Sequence, residues 1–427
     1  MLLSRDFAWR HDKDGNMRIL HLSSLYPPQA FGGAEKVVQV LAEGMAARGI
    51  EVGVAHQVRD PSPAWQGNGV QVRPLRHRNP LWIEDSARYA GPIRNFNKIA
   101  TLFNVLTAGD FGRLIDEFKP DIVHSHSMSD LTPLMWKAAG DRHIPLVHTL
   151  HDYDLLCIRG TLYKDGRHCT PRHLSCAAFS QVKRLHHRAI GHVAGVSRSV
   201  LQTHLDHGFF THVPEERRHA IWNPLRAMTA LAPRPARKPF ARLRFGFLGR
   251  LVPEKGIEVL LDACRKLPQE GWCLHVGGRA PKDCAPLVDA AAGLPVEFEG
   301  FVDPASFLAS IDVLVVPSVW LEPFGLTIFE AYIAGVRVIG SNIAGVAEII
   351  GQIDPDSLFS AGDADALAQK MGEVMRAADP HRIPAAPLQA ALARIRPDAV
   401  IDKYVDVYET ALRSPQRTVG AIPAGAQ

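Results

Sequence analysis

The stretch EPFGLTIFEAYIAG, residues 322–335, sets Glu322 and Glu330 on either side of a Pro-Phe-Gly bend, with a helical periodicity starting between them. Upstream, GRLVPEKG places Arg250 and Lys255 directly ahead of the helix-like run IEVLLDACRKL. Cations at a helix amino end oppose its partial positive charge and cost about a few tenths of a kcal/mol each unless an anion joins them. A diphosphate would supply that anion. Phe324, Gly325 and Leu326 lead into the next helix, whose first N–H groups lack partners within the helix and can hold phosphate or sugar oxygens. Carboxylates beside such a cradle suit the hydroxyls of a sugar or a ribose. Each group also has a plain structural reading: Arg250, Lys255 and Glu322 as solvated loop charges, and Thr327 with Glu330 as a capping box over the first amides.

The first half of the chain carries a sparser version of the same logic. AFGGAE puts Gly32 and Gly33 before a helix, where main-chain amides could approach a phosphate from the other side of a cleft. His126 ends the apolar run IVHSH, and His151 ends LVHTLH with Asp152 beside it. In open α/β sheets ligands gather beyond the carboxyl ends of the strands. A histidine there is either a hydrogen-bonded structural group or an acid-base group.

The elements that would position these residues emerge from periodicity. RILHLSSL, the turn-rich YPPQAFGG and AEKVVQVLAEGMAARG read as strand, loop and helix. Short apolar runs then recur as IEVGVAH, GVQVRPL, DIVHSHS, PLVHTLH and HVAGVS, most of them leading into helix-like segments. Such alternation predicts a doubly wound parallel sheet. RAMTALAPRPARKP, residues 226–239, has no usable period and is read as a linker. Beyond it LRFGFLG, WCLHVGG, VEFEGFV, DVLVVPS and VRVIGS alternate with helices, predicting a second sheet of the same kind. The expected domains are 17–225, joined by a last helix near 398–414, and 240–397. Residues 1–16 and 415–427 are read as tails.

Bulk properties agree with two globular domains. A chain of 427 residues exceeds what one core usually serves, and 46% hydrophobic with 22% charged residues is ordinary for a globular protein. The balance of 48 basic and 44 acidic side chains gives only +4, too little to argue for nucleic-acid binding. No window reaches the length of an apolar membrane span, and the first residues lack a signal-peptide core, so a cytoplasmic location is expected. There the six cysteines would be thiols or metal ligands rather than disulfides.

The motifs FGGAE, HDYDLLC, FLGRLVPEKGIEVLLDA and EPFGLTIFEAYIAGVRVIGSNIAGVAEII together resemble family 4 of the retaining nucleotide-sugar glycosyltransferases, over roughly residues 17 to 412. The resemblance implies a GT-B fold: two Rossmann-like domains facing each other across a cleft, the first for the acceptor and the second for the donor. It implies that Arg250 and Lys255 neutralise the donor diphosphate, that Glu330 binds the ribose and that Glu322 faces the donor sugar. Phe324, Gly325 and Leu326 would present amides to sugar and phosphate, Gly32 and Gly33 would approach the diphosphate, and His126 would lie near the reacting sugar. His151 and Asp152 are acceptor-side candidates. The implied reaction is metal-independent transfer of a hexose from a UDP- or GDP-linked donor, with retention and without a further cofactor. The implied acceptor is a lipid-linked glycan of exopolysaccharide or lipopolysaccharide synthesis, or alternatively a soluble small molecule or sugar. A GT-B phosphorylase and a non-catalytic sugar-binding relative are the remaining alternatives.

Other classes fit less well. No G-x-G-x-x-G comes after a strand, which argues against a dinucleotide oxidoreductase, and Glu254 stands where a Walker loop needs glycine. CIRGTLYKDGRHCTPRHLSC raises a metal question through Cys157, Cys169 and Cys176 with His168 and His173, although eleven residues between the first two cysteines depart from structural zinc spacing. Segment 73–98 mixes Arg73, Arg76, Arg78, Arg88, Arg94 and Lys98 with Leu81, Trp82, Ile83, Tyr89 and Phe96, diluted by Glu84 and Asp85. Basic and aromatic residues together suit peripheral contact with an anionic membrane.

Overall fold

The computed structural model describes residues 17–29, 32–60, 62–83, 85–225, 242–279 and 285–413. The linker expected at 226–239, the tails at 1–16 and 415–427, and Glu84 lie outside them.

The first half runs β1 (Arg18–Ser23), α1 (Gly33–Ala46), β2 (Glu51–Val58), β3 (Trp65–Gly67), β4 (Val70–Arg76), α2 (Gly91–Leu102), α3 (Val105–Phe118), β5 (Ile122–Ser125), α4 (Leu134–Gly140) and β6 (Leu146–Leu150). A small hairpin, β7 (Tyr163–Lys164) and β8 (Arg167–His168), precedes α5 (Leu174–His186), β9 (His192–Gly195), α6 (Arg198–Asp206) and β10 (Arg218–Ala220). Its sheet has the order β10-β9-β6-β5-β1-β2-β4-β3, parallel throughout except for the edge strand β3. β2, β5 and β6 are buried on both faces, as a parallel sheet covered by helices requires, whereas β4, also expected as a buried strand, is only partly buried and ends exposed at Arg76. The short strands β3, β7, β8 and β10 have no apolar run and were not legible as strands.

The second half runs β11 (Leu243–Leu248), α7 (Ile257–Cys264), β12 (Trp272–Gly277), α8 (Ala285–Ala290), β13 (Val296–Gly300), α9 (Pro304–Ser310), β14 (Val313–Val316), α10 (Leu326–Ile333), β15 (Arg337–Ser341), α11 (Ala344–Ile353), β16 (Leu358–Phe359), α12 (Ala364–Arg376), α13 (Ala385–Ile395) and α14 (Pro397–Arg413). Its all-parallel sheet has the order β13-β12-β11-β14-β15-β16. In each sheet the order reverses at the first strand of that half, β1 or β11, so a crevice opens beyond their carboxyl ends.

The last helix returns to the first sheet. Tyr404, Tyr408 and Val400 of α14 are buried with Val38, Leu41 and Ile122. The tie is polar as well as apolar: His124 on β5 is hydrogen-bonded through Nδ1 to Tyr408 Oη at 2.6 Å and through Nε2 to Thr149 Oγ1 at 2.7 Å, and Thr149 meets Tyr404 Oη at 3.0 Å. Every one of these groups is wholly buried, so the network satisfies polar atoms that would otherwise be orphaned.

The two halves touch through one apolar core. Trp222 packs against Phe324 and Phe329 with ring centroids 6.0 and 5.6 Å away, and its indole N–H donates to Glu348 at 2.7 Å. Ser197 donates to the Pro323 carbonyl at 2.7 Å.

Candidate functional site

Loops from the carboxyl ends of both sheets meet face to face. A side chain on Gly33 would come within 3.1 Å of Leu326, and Tyr153 lies edge-on to Trp320 with centroids 6.5 Å apart. The second half supplies the denser set of charges.

Glu322 leaves β14 on a short loop and is not solvated. Its Oε2 accepts from Lys255 Nζ at 2.6 Å, from Trp320 Nε1 at 2.9 Å and from Ser318 Oγ at 3.3 Å. The Lys255 ammonium also lies 5.5 Å from the Trp320 ring centre. The loop is held from below, because Gly345 N donates to Glu322 O at 2.9 Å and a Cβ on Gly345 would sit 2.6 Å from the Pro323 carbonyl. Only a residue without a side chain lets α11 approach so closely.

Gly325 starts α10 with φ of +103°, a conformation that suits glycine and turns the chain sharply into the helix. The amino end has no side-chain cap. The capping box expected from Thr327 and Glu330 therefore does not form: the helix begins one residue earlier, at Leu326, and the two side chains are not placed to close the first turn. Its first amides have no side-chain cap, and Leu326 at that end of the helix meets Gly33 of the facing wall. Glu330 sits one turn in, where burial pushes its carboxyl up while the Lys36 ammonium of α1, across the crevice, pulls it down.

The two predicted cations separate. Lys255 is engaged with Glu322, whereas Arg250 is 63% exposed and among the described residues pairs with Glu254, at 3.9 Å. Arg250 is the cation free to turn toward an incoming anion.

On the opposite wall, Gly32 N donates to the Glu35 carboxylate at 3.0 Å, so the amino end of α1 carries its own acid. Behind it lies a row of imidazoles. His21 Nδ1 and His126 Nε2 are 3.0 Å apart, as are His126 Nδ1 and His151 Nε2. Burial holds all three neutral: His21 is pushed down to about 3, His151 to about 4, and His126 well below the ordinary range. His126 was expected beside a reacting sugar. It is wholly buried with both nitrogens engaged, and His151, 9% exposed, is the most accessible member of the row.

Asp152, next in the chain after His151, accepts from Asp154 N at 2.8 Å and from Ser127 Oγ at 3.3 Å. Burial and the Asp154 charge push its carboxyl well up. Burial also opposes the charge on Asp154, but Lys183 and the bond with Asp152 outweigh it and hold Asp154 low. Lys183 Nζ, 1% exposed in its side chain, donates to Asp154 Oδ2 at 3.1 Å and to the Asp154 and Met128 carbonyls. This buried pair fixes the loop that carries His151 and Asp152.

Sequence reasoning missed Ser318, Trp320, Lys36 and Lys183. Lys36, one turn into a Gly-Gly helix, stands inside the helical run AEKVVQVLAEGMAARG, whereas Trp320 falls between DVLVVPS and EPFGLTIFEAYIAG, two residues before Glu322. Lys183 has no sequence signal, since its partner is 29 residues away.

Among the described residues two groups bring three metal-capable atoms within 4.8 Å of one another: His21, His124 and His126, and His275, Glu297 and Glu299. The nitrogens of His124 and His126 are already bonded to hydroxyls or to other imidazoles. Cys157, Cys169 and Cys176 do not form such a group. Cys157 and Cys176 are buried neighbours, and a hydrogen bond from Cys176 pushes the Cys157 thiol down to about 5.

Comparison with known proteins adds independent findings. Residues 31–226 match the family model described as Glycosyltransferase Family 4, and residues 242–377 match that described as Glycosyl transferases group 1. An uncharacterized 42.6 kDa protein in the cps region of Klebsiella pneumoniae is 28% identical over 345 residues, covering 80% of this chain and 90% of that protein. A putative colanic acid biosynthesis glycosyltransferase, WcaL, of Escherichia coli K12 is 27% identical over 157 residues, covering 34% of this chain and 39% of that one. The crystal structure of Anabaena HepE in complex with UDP superposes with a TM-score of 0.66 at 18% identity, over 93% of this chain and all of that one.

Proposed function

Taking as premise that the chain belongs to the family 4 glycosyltransferases and has the GT-B fold, we propose that it moves a hexose, with retention, from a nucleoside diphosphate sugar to a lipid-linked glycan in polysaccharide synthesis. The observation that carries this reading is the convergence of Lys255, Glu322 and the uncapped amino end of α10 opposite Gly33.

In this reading the diphosphate takes Lys255 from Glu322, Arg250 swings in from solvent, and the amides of Leu326 and Thr327 meet phosphate or sugar oxygens. Glu322, released, accepts from donor sugar hydroxyls. Glu330 accepts from the ribose. Breaking the anomeric C–O bond sends negative charge onto the diphosphate, and these pre-placed positive groups stabilise it as it grows. They do the work that a divalent ion does elsewhere, so we propose neither metal nor cofactor. Once Lys255 leaves, Glu322 Oε2 still accepts from Trp320 and Ser318, which makes it a poor nucleophile. The proposed course is therefore attack from the face the diphosphate leaves, with the departing phosphate oxygen taking the acceptor proton. His151 and Asp152 would orient the acceptor.

The acceptor assignment draws on WcaL, whose name places it in colanic acid synthesis. Peripheral attachment to the inner membrane face draws on α2 and the turn that joins it to α3. Ile93, Phe96 and Ile99 on α2 are exposed, as are Phe103, Val105 and Leu106, and Arg88 and Arg94 lie close by. Leu81 and Trp82, expected to contribute, are buried instead, and Lys98 is paired with Asp130. No described helix is long and apolar enough to cross a membrane.

The test is a thermal-shift and turnover screen with UDP, GDP and their hexose conjugates, with and without EDTA. A saturating donor should stabilise the fold by about 2–4 kcal/mol. Failure of every nucleotide to shift the wild-type melting temperature would sink the reading.

A further inference from the structure

A second constellation lies on the donor-side sheet, on strand faces the proposed glycosyl transfer does not use. Cys273 and His275 alternate onto one face of β12, and Glu297 and Glu299 onto the same face of β13, where His275 and Glu297 are register partners. Cys273 Sγ lies 3.6 Å from His275 Nε2, and His275 Nδ1 is 2.7 Å from Glu299 Oε1. Sulfur, imidazole and carboxylate in that order make an activated nucleophile: the carboxylate holds the proton on Nδ1, which leaves Nε2 to take the proton of the thiol.

The cation on the neighbouring strand works in the same direction. Arg244 is the register partner of Cys273 on β11 and is held by Asp312 at 3.0 Å. A cation beside a thiol favours its thiolate. Glu297 Oε2, 3.8 Å from the same His275 nitrogen, adds a second carboxylate on that side. Helix α9 leads to Phe307 over Gly277 and to Ile311 over Gly246 on this face, and it carries no titratable residue. Cys273 is half-buried rather than sealed in the core. It lies near the start of β12, at the strand end away from the crevice.

We propose that Cys273 is a reactive thiolate and a modification site for low-molecular-weight disulfides, activated by His275 and Glu299. The Cys273 proton passes to His275 Nε2 as the sulfur attacks one sulfur of the disulfide. A new S–S bond forms at Cys273 while that of the reagent breaks, and the departing thiolate takes the proton back from His275. Cys273 is oxidised to a mixed disulfide and the reagent is reduced to one thiol.

The experiment uses the full chain, with 5,5′-dithiobis(2-nitrobenzoate) and glutathione disulfide as probes between pH 5.5 and 9.5, and peptide mass mapping to locate the modified residue. Cys273 should react first, with a pH midpoint below that of an ordinary thiol near about 8.5 and a rate at pH 7 roughly tenfold above an ordinary thiol, because only a few per cent of the latter is ionised there. Cys273→Ser should abolish the fast phase. His275→Gln and Glu299→Gln should return the midpoint to about 8.5, with melting temperatures confirming that each variant folds. Fast labelling at another cysteine, a Cys273 midpoint at the ordinary value, or variants that leave the midpoint unmoved would each overturn the proposal.

Discussion

Lys255 Nζ and Glu322 Oε2 lie 2.6 Å apart, bridging the loop after β11 and the loop after β14. The pair is largely shielded from water, and each charge satisfies the other.

Lys255→Ala leaves Glu322 buried without its cation, and should destabilise the chain by about 1–3 kcal/mol and abolish the nucleotide-dependent thermal shift. Lys255→Met with Glu322→Gln should recover most of the stability but none of the nucleotide shift. Urea melts with and without UDP separate the two effects. Arg250→Ala, at an exposed position, should cost no stability and still weaken the shift.

Gly325→Ala places a Cβ at φ of +103° and 3.0 Å from Ile328 Cδ1. The expected penalty is about 1–3 kcal/mol of strain, with a matching loss of donor affinity as the first amides of α10 turn away. Calorimetric titration with a nucleoside diphosphate reads the affinity; unchanged binding would refute the role given to these amides.

The imidazole row predicts a pH dependence of stability. His21 and His151 stay neutral in the fold down to about 3 and about 4, whereas the unfolded chain protonates them near 6.5. Below 6.5 the unfolded state therefore binds more protons, and stability, complete above that pH, falls as pH drops toward 4. Each such histidine adds a slope of roughly 1.4 kcal/mol per pH unit within the window. Urea midpoints between pH 7.5 and 5 should show a slope that His151→Gln reduces by one proton.

Tyr408→Phe removes the hydroxyl that meets His124 Nδ1 and leaves that nitrogen buried without a partner. A loss of about 1–3 kcal/mol is expected. Tyr404→Phe should cost less, since Thr149 keeps its bond to His124. Equal, negligible losses would mean that α14 is held by its apolar face alone.

Phe96→Glu with Ile99→Ser should weaken flotation with anionic vesicles while leaving turnover on a soluble acceptor intact. Wild-type flotation that fails at low and high salt alike would remove the membrane from the proposal.

Much of this protein could be read from its residues alone. Apolar runs of strand length alternating with amphipathic helices dictate two parallel sheets, because both faces of such a sheet must be covered. The loop that leads into α10 was legible for a local reason: Gly325 precedes a helix start in sequence, and helix amides are polarised wherever that helix lies. Tertiary structure alone decided which charges meet. Lys255 and Glu322 are 67 residues apart, so their bond depends on the order in which β11 and β14 pair. The depth of His126 depends on β5 lying inside the sheet between β1 and β6, where the neighbouring strands exclude water and a histidine can only bond to other buried groups. Burial and long-range pairing are properties of the packed chain, and they place Glu322 among Lys255, Trp320 and Ser318 rather than in water.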